Sequence, residues 1–172
     1  MVTLPTGLRD LMTTFAHAGR VKWIGVRPAR ELPIKLPANV EAIADRGLVG
    51  DRTGDQSRAG NERQVTLIQA EHIEVIAKLL QQGVIDPALL RRNIVVAGIN
   101  LLALKGQRFR IGEALLEMSG ECHPCSKMEL HLGPGGYNAM RGHGGITARV
   151  IEGGRIALGA AVAPAGQVTA QP

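Results

Sequence analysis

Aromatic side chains are nearly absent from this chain. Phe15, Trp23, Phe109 and Tyr137 are the whole set in 172 residues. Proteins that grip nucleic acid by stacking on its bases need aromatic faces beside basic groups. Only Trp23, between Lys22 and Arg27, has such a setting. The formal net charge of +5 therefore points to a small anionic ligand rather than to nucleic acid. Cysteine is just as scarce. Cys122 and Cys125 are the only two, too few for a disulfide framework, which points to a reducing compartment. Long hydrophobic runs are missing too, since no apolar stretch approaches the roughly 20 residues of a membrane helix. The opening Met1-Val2-Thr3-Leu4-Pro5 lacks the basic region and apolar core of a secretory signal. These absences predict a cytoplasmic protein with no membrane contact.

What is present fits one globular domain. Hydrophobic residues make up 45% and charged residues 20%, ordinary values for a chain able to bury a core. Residues 5–18 read as a helix, with Pro5 in the first turn, Leu8, Leu11, Met12 and Phe15 at helical spacing, and Gly19 as a stop. Strands are expected over 21–26, 40–44, 63–69 and 94–96. Residues 31–39, with Pro33 and Pro37, read as a loop or edge strand. Arg46 to Gly60 is a charged, glycine-rich loop of a length that usually has a function. It lacks the Gly-Lys-Ser/Thr ending of a P-loop. Ala70 to Gln82 is the strongest helix, burying Ile73, Ile76, Ala77 and Leu80 and ending at Gly83. A short helix is expected over 87–90. Two further strands, 108–111 and 114–118, are joined by a tight turn at Gly112-Glu113. Ser126 to His131 reads as a helix, and Gly133-Pro134-Gly135-Gly136 as a break. Strands over 146–151 and 156–162 follow, and residues from Pro164 read as a loose tail. Roughly seven to nine short strands with two or three helices suggest a barrel or sandwich. The expected division is an N-terminal helix over 1–20, one domain over 21–163 and a tail over 164–172.

The chemistry is expected at Glu121-Cys122-His123-Pro124-Cys125-Ser126-Lys127. A strand leads in and a helix leads out. A thiol at such a junction sits among free backbone N–H groups, which favour the thiolate, the form that attacks electrophiles and binds soft metals. Cys125 therefore reads as a nucleophile or a metal ligand, with a buried small hydrophobe as the structural alternative. Cys122 and Cys125 also have the spacing of a dithiol redox pair. A zinc site would use Cys122, His123, Cys125 and either His131 or His143, although only one knuckle-like pair exists. His143, between Gly142 and Gly144, is either a ligand contact or a solvated loop residue. Arg91 and Arg92 either clamp a phosphate through bidentate geometry or face solvent. Asp51 and Arg52 could pair to shape their loop.

Several motifs, taken in order, resemble the MOSC domain, found at the C-terminus of molybdenum cofactor sulfurases and as small stand-alone bacterial proteins. They are Gly47-Leu48-Val49-Gly50-Asp51-Arg52, Arg63-Gln64-Val65, Arg92-Asn93-Ile94, Arg110-Ile111-Gly112-Glu113-Ala114, Pro124-Cys125-Ser126-Lys127, Arg141-Gly142 through Gly145, and Ile151-Glu152-Gly153-Gly154-Arg155-Ile156 with Gly159. No single one is specific; their order and spacing are. The resemblance runs from about Val21 to Val162. It implies a mostly β fold with a few helices, a MOSC-type β-barrel. It implies that Cys125 carries sulfur or ligates molybdenum, so Cys125 is both the expected catalytic residue and the expected metal ligand. It implies binding of the anionic molybdenum cofactor, molybdopterin, by Asp51, Arg52, Arg63, Arg91, Asn93, His123, Lys127 and Arg141. The implied activity is sulfur transfer to that cofactor or reduction of N-hydroxylated compounds, with a separate electron or sulfur donor protein. Pyridoxal phosphate, linked to the family through the cysteine-desulfurase half of its larger members, is not expected. Thr53 stands where the family's glycine loop usually carries histidine, so a non-catalytic cofactor or anion carrier is the alternative, beside the Cys122/Cys125 dithiol reading.

Overall fold

The structure, a computed structural model, describes residues 7–55 and 60–166. Pro5, residues 56–59 of the glycine-rich loop and residues 167–172 of the expected tail lie outside the described residues. The described chain runs α1 (Leu8–Thr13), β1 (Gly19–Ile24), β2 (Asn39–Ile43), β3 (Gly47–Leu48), α2 (Arg52–Asp55), β4 (Val65–Gln69), α3 (Ala70–Leu79), β5 (Ile94–Ala97), β6 (Arg108–Ile111), β7 (Ala114–Glu121), α4 (Lys127–Leu132), α5 (Gly136–Met140), β8 (Ile146–Glu152), β9 (Gly154–Ala157) and β10 (Ala161–Pro164). Single 3₁₀ turns occupy Pro87–Leu90 and Leu101–Leu104.

Seven strands close into a barrel in the order β1-β10-β6-β7-β8-β4-β5, and a small sheet β3-β2-β9 lies beside it. Closure leaves the barrel without free edges. Its pairs are antiparallel except β4 with β5, whose crossover contains α3. Alternation along the strands separates two cores. Val65 and Leu67 of β4 and Ile94 and Val96 of β5 fill the barrel with Phe109, Leu116, Ile146 and Val150. Ile68 and Val95, on the other face, pack with Ile73, Ile76 and Ala77 of α3 and with Met128, Leu132, Ala139 and Met140 of α4 and α5. Buried on both faces, β4 and β5 read as near-continuous apolar runs.

The mostly β, barrel-type architecture expected from the sequence is what the chain forms. Several local readings differ. The first helix is only Leu8–Thr13 and buries none of its residues. Thr13 Oγ1 bonds to Arg9 O and Thr14 Oγ1 to Asp10 O, side-chain bonds that compete with helix continuation. Phe15 packs against the barrel core, and Gly19 opens β1 rather than stopping a helix. At the end of α3 the left-handed residue is Gln81, with φ 53°, not Gly83. The single strand expected over 156–162 is two, because the chain turns at Leu158-Gly159 and passes from the small sheet into the barrel. Pro164 pairs with Phe109 in β10, and Ala165 N donates to Arg108 O, so the barrel extends into the segment expected as tail. Helix α5 was not expected at all. Glu129 of α4 supplies its start, accepting from Gly135 N at 2.7 Å and Tyr137 N at 2.9 Å.

Candidate functional site

The candidate site lies at one rim of the barrel. Register places the end of β1, the start of β5, the middle of β4 and the start of β8 at one level, through Ile24↔Ile94, Leu67↔Ile94 and Leu67↔Ile146. The end of β7 arrives there through Glu121↔Ile146. The segments leaving these strands carry the charged residues.

The first feature is a cleft of about 110 Å³ lined by Gly25, Arg27, Arg30, Ile34, Asp51, Arg52, Thr53, Thr66, Arg91, Arg92 and Asn93. Five of these are arginines and one is a carboxylate. Asp51 is buried and already engaged. Its Oδ2 accepts from Arg27 N at 2.9 Å and Asn93 Nδ2 at 3.1 Å, and its Oδ1 from Thr53 N at 3.0 Å. Asn93 Oδ1 in turn accepts from Thr66 N and Thr66 Oγ1, both at 3.0 Å. Asp51 thus shapes its loop by taking N–H donors rather than through the ion pair with Arg52 that the sequence suggested. Together Asp51, Asn93 and Thr66 form a hydrogen-bonded wall in which one carboxylate faces five arginines. Arg27 shows the consequence. Its Nε is buried without a partner. Burial lowers its pKa first, the charge of Arg91 next and that of Arg52 further, with Asp51 opposing. Like charges held together in this way leave room for an anion. Arg91 caps the C-terminal end of the 3₁₀ turn Pro87–Leu90 and sits in the left-handed region at φ 59°, ψ 36°. That costs a non-glycine residue about 1–3 kcal/mol and is typical of ligand sites.

The second feature is the cysteine loop. Cys125 is exposed and Cys122 is buried, and both are free thiols. Cys122 N donates to Gly145 O at 2.9 Å, and Cys125 O accepts from Met128 N in the first turn of α4. The base of the loop is fixed by Arg92, which is only 6% exposed. Its Nε donates to Gly144 O at 2.7 Å, one Nη to Leu90 O at 3.0 Å and the other to Cys122 O at 3.0 Å. A Cβ at Gly144 would run into the Cys122 carbonyl and the Arg92 guanidinium; one at Gly145, whose φ is +87°, would run into Leu67 O. Bare backbone is what lets three segments converge on one arginine. Burial lowers the Arg92 pKa; the two cysteines oppose this, Cys122 more than Cys125, while Arg63 and Arg91 add to it.

A second, open cleft, which includes part of the cysteine loop, is lined by Glu121, His123, Pro124, Tyr137, Asn138, Arg141 and Gly142. The expected site residues therefore fall into groups. Asp51, Arg52, Arg91 and Asn93 meet in the arginine cleft, and His123 and Arg141 in the second cleft. Arg63, Lys127 and Cys125 are exposed and line neither, although Arg63 and Cys125 lie within electrostatic reach of Arg92. Sequence reasoning missed Arg27 and Arg30 as cleft residues. They follow a strand with no motif around them, and only the fold brings them to Arg91. Arg91 and Arg92 both line the cleft, and the Arg92 guanidinium is in addition buried and bonded to three carbonyls, so the solvent-facing alternative does not hold for Arg92.

The zinc arrangement does not form. Among the described residues no group of three or more His, Cys, Asp or Glu side chains could hold a metal ion. His131 Nδ1 bonds to Leu89 O, and His143 Nδ1 to Ala139 O while its ring packs edge-on against His72 at 5.3 Å. Trp23, the one aromatic in a basic setting, is half-buried against the helix-side core. Among the described residues no helix is long and apolar enough to cross a membrane.

Comparison with known proteins agrees with this architecture. The YuaD protein of Bacillus subtilis superposes with a TM-score of 0.71 at 21% identity, covering 84% of this chain and 94% of that one. YiiM of Escherichia coli gives 0.63 at 22% identity, covering 88% and 72%. YiiM of Geobacillus stearothermophilus gives 0.69 at 17% identity, covering 88% and 77%. At these identities the likeness is one of fold. No curated protein matches the chain. The family model for the MOSC domain matches residues 54–163, well over half of the chain, including the cysteine loop, the whole second cleft and Thr66 and Arg91 to Asn93 of the arginine cleft. The chain belongs to the MOSC domain family.

Proposed function

We propose that this protein binds a molybdenum cofactor, with the Cys125 sulfur as the protein's ligand to the metal and the arginine cleft as the seat of the pterin phosphate. The observation that carries the reading is the cleft itself: arginines around a single carboxylate already saturated by N–H donors, with the buried Arg27 Nε unpartnered. A phosphate is the anion whose geometry suits several guanidinium forks at once. A thiol sulfur is a soft donor suited to a thiophilic metal, and Cys125 is the exposed one of the pair. One protein thiol suffices when the cofactor brings its own sulfur donors, so the lack of a multi-residue metal cluster among the described residues fits this group. Arg27, Arg30, Arg52 and Arg91 would hold the phosphate, while Asp51, Asn93 and Thr66 keep the cleft wall in shape. Arg63 and Lys127 add positive charge near the thiol, and His123 and Arg141 line the open cleft where a reacting compound would approach. When bound, the cofactor supplies a metal centre able to take an oxygen atom from an N-hydroxylated compound or to receive a sulfur atom. Turnover would draw on a separate electron or sulfur donor protein, and the free thiols suit a reducing, cytoplasmic setting.

The test begins with protein purified from a host that makes the cofactor. It should release a fluorescent pterin on oxidation, and combined Arg27→Gln and Arg91→Gln should cut that yield at least fivefold. Wild-type protein free of pterin would refute the reading. Incubation with an N-hydroxylated test compound and a supplied electron donor then separates turnover from carriage. Loaded protein without reduction or sulfur transfer favours the carrier role that Thr53 suggests.

A further inference from the structure

We infer that Arg92 is a positioning residue that couples anion binding in the arginine cleft to the cysteine loop. This rests on the proposed reading of that cleft as an anion site. Arg92 belongs to both places: it lines the cleft, and its guanidinium fixes the Cys122 carbonyl and the Gly144 carbonyl. The same two segments are joined again by Cys122 N donating to Gly145 O. The cysteine loop therefore hangs from a clamp whose centre is a buried cation.

None of the ion pairs formed among the described residues involves Arg92. Its donors reach only carbonyl oxygens, which solvate the charge without neutralising it. Among the described residues no carboxylate acts on it: the groups that do are the thiols Cys122 and Cys125, which favour its charge, and Arg63 and Arg91, of the same sign, which oppose it. A buried cation without a counter-charge gains more from a nearby anion than an exposed one does, because little water screens the attraction. An anion in the cleft thus favours the conformation in which Arg92 stays seated, and with it the closed base of the loop three residues before Cys125. By linkage the effect is reciprocal, since whatever loosens the loop weakens the anion. Nothing in this argument needs Arg92 to touch the reacting atoms. A lysine retains the charge but lacks the rigid fork that reaches carbonyls on three segments.

The experiment uses pyrophosphate as the probe, with chloride at matched ionic strength as the control. Pyrophosphate binding is measured by calorimetry, and Cys125 reactivity by its rate of alkylation with iodoacetamide, read by mass spectrometry. In the wild type, saturating pyrophosphate should slow Cys125 alkylation about fivefold, the low end of ordinary coupling between sites. In Arg92→Lys, pyrophosphate should still bind at the remaining arginines, and the alkylation rate should no longer respond. Binding without any change in the wild-type rate overturns the coupling and leaves the cleft assignment standing. An equal response in Arg92→Lys overturns the role of Arg92. Absence of pyrophosphate binding to the wild type overturns the cleft assignment and the coupling together. Should Arg92→Lys not fold, hydrogen exchange on the wild type decides. Pyrophosphate must then slow exchange at the Cys122 amide, and protection confined to the cleft residues overturns the inference.

Discussion

Replacing Asp51 with alanine should be among the most damaging single changes at this rim. The carboxylate accepts from Arg27 N, Thr53 N and Asn93 Nδ2, and the side chain is buried. Hydrogen bonds to a charged group contribute about 1.5–3 kcal/mol each, and a donor left buried without a partner incurs a desolvation cost. The three are not additive, because water will reach some of the freed donors. A second loss accompanies the first, since the arginines of the cleft lose their one internal counter-charge. A total of roughly 3–5 kcal/mol is expected, the range seen when one member of a buried charged network is removed. For a domain of this size that is a fall in Tm of about 10 °C. Asp51→Asn keeps the shape and one acceptor oxygen, so it should lose about half as much. Urea and thermal unfolding followed by circular dichroism measure both. Pyrophosphate should raise Tm more in Asp51→Ala than in the wild type, because the mutant cleft is more positive. An Asp51→Ala protein within about 1 kcal/mol of the wild type would refute this account of the cleft wall.

Glu129 gives an acid-side prediction. Hydrogen bonds from Tyr137 N and then Gly135 N hold its pKa below the ordinary 4.5, so its contribution is present above 4.5 and is lost as pH falls through the lower folded value. Stability should therefore decline more steeply below pH 4.5 in the wild type than in Glu129→Gln, as read by urea midpoints across pH. His72 gives the opposite kind of group at milder pH. Burial lowers its pKa below 6.5, as does His143 beside it, with Glu71 opposing. The neutral form is favoured in the folded state, so stability is retained above 6.5 and falls as pH drops through the lower folded value. His72→Gln should flatten that part of the profile. Gly144→Ala should destabilise by about 1–3 kcal/mol, because the new Cβ meets the Cys122 carbonyl. Thermal unfolding close to that of the wild type would contradict the three-segment clamp.

The parts of this molecule that could be read from its sequence are those set by local chemistry. Val65, Leu67 and Ile68 announce a strand, and Ile73, Ile76 and Ala77 a helix face, because their spacing matches the burial the structure shows. Gly112-Glu113 announces its turn, and the polar setting of Cys125 announces an exposed thiol. What could not be read depends on partners distant in the chain. Helix α5 follows a Gly-Pro-Gly-Gly run and begins only because Glu129 reaches its first N–H groups. Leu8, Leu11 and Met12 are spaced like a buried stripe, yet they remain exposed at 72%, 58% and 63%, since periodicity states that a face is apolar and not that anything covers it. Arg27 and Arg91 are 64 positions apart in sequence, and only the pairing of β1 with β5 brings them to one cleft. Adjacent arginines 91 and 92 look equivalent in sequence; the left-handed backbone at Arg91 sends them to different tasks.

The account stands most directly on the Cys125 sulfur as the protein's hold on molybdenum. Wild type and Cys125→Ala are to be purified in parallel from a cofactor-competent host, with molybdenum per chain determined by elemental mass spectrometry. Cys125 is an exposed, free thiol that supports no core packing among the described residues, so the variant should fold with an unchanged Tm. The account predicts substantial molybdenum in the wild type and a loss of tenfold or more in Cys125→Ala. Equal molybdenum in the two proteins would contradict it.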